Sequence, residues 1–174
     1  MKRTLTILGI FGIAILFAQT AANLTEFKEN IASQKTEAKE ALGSYRFDGS
    51  KITYFNFKTY EQIKEVEIYL FNNTDYRFSF NGKSLPFDIS VQIYDKGKTA
   101  SDRTLLKEFT GLQGQNLLVE SSELNTTYLE KTGHSGRLKR VFVDYIITAI
   151  PTAENKTPTM KERGAVVLVM GYKN

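Results

Sequence analysis

No cysteine and no tryptophan occur in this chain, and histidine occurs once, at His134. The missing cysteine excludes disulfides, iron–sulfur clusters, thiolate-bound zinc and thiol nucleophiles. It also excludes a lipid-modified bacterial N-terminus, which requires a cysteine after the signal. A single histidine excludes every site built on two. Charge of either sign is in small surplus: 23 basic against 19 acidic residues leave a formal net charge of +4 over 174 residues. Such a chain has no strong field for a phosphate backbone, so nucleic acid is not an expected partner. Long hydrophobic runs are also scarce. Leu5 to Phe17 is the longest, and its 13 residues fall short of the roughly 20 that span a bilayer.

That run has the layout of an export signal. Lys2 and Arg3 form a charged start, the apolar stretch follows, and small residues stand at Ala18, Ala21 and Ala22. Residues 1–22 are therefore expected to be a cleavable signal peptide, cut after Ala22 or alternatively after Ala18. Removing it takes Lys2 and Arg3 and lowers the net charge from +4 to +2. The product would lack any transmembrane span. An exported chain without disulfides must rely on its core alone, and at 152 residues it can bury roughly 68–70% of its unfolded surface. The expected location is a bacterial periplasm or cell surface.

Residues 23–43 follow a helical pattern. Leu24, Phe27, Ile31, Ala38, Ala41 and Leu42 fall near one stripe, Asn23 with Glu26 resembles a capping box, and Gly43 suits a stop. Two roles suit such an amphipathic helix: packing across a sheet, or an arm that binds a partner. From Tyr45 onward the period changes to two. Val66, Ile68 and Leu70 alternate with Glu65, Glu67 and Tyr69; Tyr76, Phe78 and Phe80 alternate with Arg77, Ser79 and Asn81. Ile89, Val91 and Ile93 repeat the pattern, as do Val141, Val143 and Tyr145. Residues 164–172 are continuously apolar, as in a central strand, and 52–57, 104–109 and 116–121 are shorter candidates. Asp48-Gly49 and Asn81-Gly82 read as hairpin turns, with looser turns at 95–98, 111–114 and 133–136. Ser122 to Lys131 reads as a short helix capped by Ser122 that crosses between sheets. Together, residues 44–174 are expected to form one antiparallel β-sandwich of about eight strands, jelly-roll-like, behind one N-terminal amphipathic helix. Residues 151–163 make the longest polar loop and hold Pro151 and Pro158.

The residues offer little chemistry. His134 and Ser135 are neighbours, which disfavours a productive Oγ-to-imidazole bond, and no Gly-x-Ser-x-Gly elbow surrounds them. Glu65 and Glu67 share a strand face at about 6.5–7 Å, the span of paired acids in glycoside hydrolysis, but nothing supplies the walls of a cleft. A solvated sheet face explains them more simply. Calcium needs only oxygen ligands, and Asp88, Asp95 and Asp102 flank one loop region, yet no Asp-x-Asp-x-Asp run appears. No cofactor is expected. Tyr54, Tyr60, Tyr69 and Tyr94 sit at positions that suit outward faces, where flat rings stack on sugars; margin tyrosines with wet hydroxyls are the plainer reading. Lys131, Arg137, Lys139 and Arg140 form a basic cluster, with Lys161 and Arg163 placed nearby across the last hairpin. It suits an acidic partner, or a strand edge guarded by cations.

The segments Tyr76-Arg-Phe-Ser-Phe80, Ile93-Tyr-Asp-Lys96, Val141-Phe-Val-Asp-Tyr145 and Gly171-Tyr-Lys173 resemble a family of small exported bacterial β-sandwich proteins with no assigned activity. In outline residues 45–173 are also similar to jelly-roll accessory domains appended to secreted peptidases and glycosidases. The resemblance implies a sandwich and carries over no functional residue. The expected function is a non-catalytic envelope module that binds another envelope protein or serves an accessory, structural role. A carbohydrate-binding module using the surface tyrosines is the alternative, and a hydrolase using Glu65 and Glu67 the second.

Overall fold

The computed structural model describes residues 23–150 and 162–174. The expected signal, most of the 151–163 loop and Lys161 lie outside the described residues. Helix α1 covers residues 23–40. The strands are β1 (Arg46–Asn56), β2 (Gln62–Tyr69), β3 (Asp75–Asn81), β4 (Ile89–Tyr94), β5 (Leu105–Phe109), β6 (Asn116–Glu120), β7 (Arg140–Ile147) and β8 (Arg163–Lys173), with helix α2 (Ser121–Thr132) between β6 and β7. They form two antiparallel sheets, one in the order β1-β8-β3-β6 and the other β2-β7-β4-β5. Consecutive strands change sheets at every step but one, the β4–β5 hairpin. This is the strand order of a jelly roll. Among the described residues no helix is long and apolar enough to cross a membrane.

The period-two pattern explains the core. Tyr76, Phe78 and Phe80 of β3, with Val166 and Leu168 of β8, face Ile89, Val91 and Ile93 of β4 and Val141, Val143 and Tyr145 of β7 across one continuous apolar layer. Burying each such side chain contributes about 1.5–3 kcal/mol before the entropy of ordering is charged against it.

Strand β8 is apolar without interruption because both of its faces are covered. Its other face, Ala165, Val167 and Val169, packs under Ile31, Ala38 and Leu42 of the α1 segment. The helix therefore takes the first of its two expected roles, and its stripe is unavailable as a partner arm. Leu24 departs from the stripe and is exposed, and Asn23 is itself helical rather than a cap preceding the helix. Gly43 ends the helical turn with φ of 60°. Gly171 lets the chain after α1 come close: a Cβ there would stand 2.8 Å from a Leu42 methyl.

Neither expected hairpin turn is one. Asp48-Gly49 lies inside β1, where the register against β8 slips between Phe47 and Gly49 in a bulge. A local turn signal was overridden by pairing with a strand distant in sequence. Asn81 ends β3, and Gly82 starts a crossing to the other sheet. A Cβ on Gly82 would meet the Leu112 carbonyl at 2.7 Å, so the glycine answers to packing. Helix α2 starts one residue early, with Glu120 as N-cap and no side-chain cap bond. Ser121 Oγ instead accepts the Tyr76 N–H at 2.8 Å, which fastens α2 to β3. Gly133, at φ 72°, closes the helix.

Candidate functional site

The four tyrosines do not share a platform. Tyr54 lies on the outer face of the first sheet, with its ring 6.4 Å from that of Phe27. Tyr60 stands in the β1–β2 loop, where its hydroxyl accepts a bond from Lys58 Nζ at 2.7 Å. Tyr69 and Tyr94 share the outer face of the second sheet, but the guanidinium of Arg103 covers the Tyr94 ring at 3.8 Å. Of these two tyrosines, Tyr69 keeps an open ring, at 68% exposure. Phe71 was not singled out from the sequence. It continues the alternation past buried Leu70 and is 66% exposed, so two bare rings follow each other at one end of the sheet.

The basic residues meet them there. Tyr69 and Arg140 are register partners in β2 and β7. The Leu70 N–H donates to the Lys139 carbonyl at 2.8 Å, which binds the end of β2 to the segment entering β7. The Leu138 N–H donates to Asn125 Oδ1 at 2.8 Å and ties the same segment to α2. Asn73, at φ 56°, turns the chain so that Asp75 meets Arg137. A cleft of about 490 Å³ opens beside this end, lined by Lys96, Arg137, Lys139 and Arg140, with His134, Tyr128 and one carboxylate, Asp95. His134 stacks on Tyr128 with ring centroids 5.9 Å apart and forms part of the cleft wall.

Three of the four cations hold a carboxylate outside the cleft: Arg137 with Asp75, Arg140 with Glu67 at 3.1 Å, and Lys96 with Asp102. The bond to Asp102 raises the Lys96 pKa, so this lysine stays charged. Lys139 has no ion-pair partner among the described residues. Pairs this open to water are weak, and a ligand anion can replace them. The remaining basic residues point elsewhere. Lys131 Nζ donates to the Leu105 carbonyl at 2.7 Å, and Arg163 pairs with Asn56 at the opposite end of the molecule.

Glu65 and Glu67 do share a face, yet each is engaged. Glu65 accepts the backbone N–H of Lys98, and Glu67 accepts from Arg140. The register adds a row that sequence reasoning missed: Glu65, Asp144, Gln92 and Glu108 lie side by side across all four strands. Asp144 is fully buried, although its strand position reads as solvent-facing. Its Oδ2 accepts from Arg103 at 2.8 Å, and its Oδ1 has no hydrogen-bond partner among the described residues. Arg103 arrives on the 95–104 loop, which folds back over this face. The Tyr94 hydroxyl donates to Gln92 at 2.8 Å beneath it. The three aspartates considered for calcium serve turns. Asp88 accepts from the N–H groups of Ile89 and Gln113, Asp95 from Thr104, and Asp102 pairs with Lys96. No group of three or more metal-ligating side chains converges among the described residues.

No family model matches this chain, and no curated protein matches it. Several solved structures are similar to it, including these two. One is described as "CBM4 structure and function", with a TM-score of 0.37, 13% identity, and coverage of 78% of this chain and 83% of that one. The other belongs to Bacillus endospore appendages, a family of disulfide-linked pili, with a TM-score of 0.34, 11% identity, and coverage of 76% and 92%. Overlap this loose leaves the side chains described above as the ground for any functional reading.

Proposed function

We propose that the protein is a non-catalytic exported module that holds a macromolecular partner through the Tyr69–Phe71 end of the second sheet. One observation carries the reading: two bare aromatic rings, Tyr69 and Phe71, stand at the end of β2, and Tyr69 pairs in register with Arg140, which lines a cleft with three more cations and one carboxylate. Bare aromatics bordered by charge are characteristic of contact surfaces. Glu65 and Glu67 accept bonds from the Lys98 N–H and from Arg140. The reading of export rests on Lys2, Arg3, the Leu5–Phe17 run and the small residues after it.

The test places a photo-crosslinking side chain at position 69 or, as the control, at 60, in the full chain expressed in cells with its own N-terminus. Irradiation of intact cells should yield a reproducible adduct, protein or glycan, from position 69 and none from 60. Equal adducts from both positions, or none from 69, would remove the proposal.

A further inference from the structure

We infer that the ligand of this end is an acidic polysaccharide, a chain of sugar rings bearing carboxylates. The inference rests on the reading of this end as the binding surface and adds the chemistry of what is bound.

Two features of different kinds meet at Arg140. On one side, its register partner Tyr69 and the following Phe71 offer two flat apolar rings to solvent. Facing side chains in such a pair stand about 4.5–5.5 Å apart at Cβ. The C–H face of a pyranose is apolar and flat, and it covers such a ring without requiring a deep pocket. On the other side, Arg140 lines the cleft with Arg137 and Lys139. A guanidinium takes a carboxylate through two parallel bonds, and an ammonium takes it as a point charge. A volume of about 490 Å³ lies within the usual range of roughly 300–1,000 Å³ for ligand sites, and it is open along the surface, as a chain passing through requires. A neutral glycan would use the rings and leave Lys139, which has no ion-pair partner among the described residues, unmatched. An acidic peptide could use the cations and Leu138 inside the cleft, but it would leave the flat Tyr69 and Phe71 rings outside it uncovered.

The experiment measures binding of the full, processed chain to polygalacturonate, to neutral dextran and to dextran sulfate. The variants are Tyr69→Ala with Phe71→Ala, and Lys139→Ala with Arg140→Ala. These residues are exposed, and an unchanged melting curve checks that each variant is folded. Polygalacturonate should bind, dextran should not, and each double variant should weaken binding at least tenfold. Affinity should also fall as salt rises from 0.05 to 0.5 M. Equal binding to dextran overturns the role of the cations, and binding to dextran sulfate alone overturns the carboxylate. If polygalacturonate fails while crosslinking at position 69 captures a protein, the glycan is wrong and the binding end stands. If both fail, both fall.

Discussion

Arg103 shows how much one side chain can hold at the residue scale. It leaves the 95–104 loop, covers the Tyr94 ring and reaches Asp144, a carboxylate with no exposure. Removing one partner of a buried pair leaves the other charge dry, which costs more than the pair contributed. Arg103→Ala should therefore destabilise the fold by about 3 kcal/mol in urea unfolding. Replacing Asp144 by Asn in the same chain should recover a large share of that loss. A cost below about 1 kcal/mol for Arg103→Ala would mean that Asp144 has another source of compensation. Glu120 gives a pH dependence. Its bond to Arg77 holds its pKa below the ordinary value, against the opposing effect of burial, and Tyr45 adds a second bond. A carboxylate depressed in the folded state stabilises above its unfolded pKa, and that stability is lost as pH falls through the folded pKa. The stability gap between the native chain and Glu120→Gln should thus be open at pH 7 and close below about pH 4.5. Asp144 itself was not legible in the sequence. Alternation places it on the outer face, and only the folded-back loop makes that face an interior.

At the scale of elements, α1 is a cover for β8 rather than a free arm. Arg77 fixes its end, donating to the Leu42 carbonyl at 3.1 Å while it bonds Glu120. Glu37 is tied to Lys83 and Asn81, and the Lys83 bond lowers its pKa. Leu42 is 1% exposed under this clasp. Leu42→Ala should cost about 2–5 kcal/mol in denaturant unfolding. A loss below 1 kcal/mol would show that the helix is not coupled to the sheet. The strands of the core were legible because each needs only its own alternation. So was β8, whose unbroken apolar run states that both faces are covered. The Asp48-Gly49 bulge was not, because its cause is a partner far away in sequence. The binding end was legible only in part. Tyr69, Arg137, Lys139 and Arg140 stood out by type, but register alone shows that Tyr69 meets Arg140 while Tyr54 and Tyr60 go elsewhere.

For the whole molecule, the ends of the sandwich differ in character. One carries the bare rings and the cationic cleft, and the other carries Arg163 with Asn56. A jelly roll hides its backbone inside two sheets and leaves its connections to vary, so chemistry gathers at the connections. The proposed export is the whole-chain reading that can be checked most directly. N-terminal sequencing of the product outside the cytoplasm should begin at Asn23, or at Gln19 if the earlier small residue is used. Recovery of Met1 in the exported product would contradict cleavage.

Strand β8 pairs with both β1 and β3 and carries the floor on which α1 rests. Among the described residues it is the last strand in chain order. Without it, β1 has no neighbour in its sheet, β3 has only the short β6, and the apolar side of α1 has nothing beneath it. Partners as remote as Arg46 and Tyr172 must find each other before the first layer exists. The first sheet and the seat of α1 therefore form together, in a single step that waits on β8.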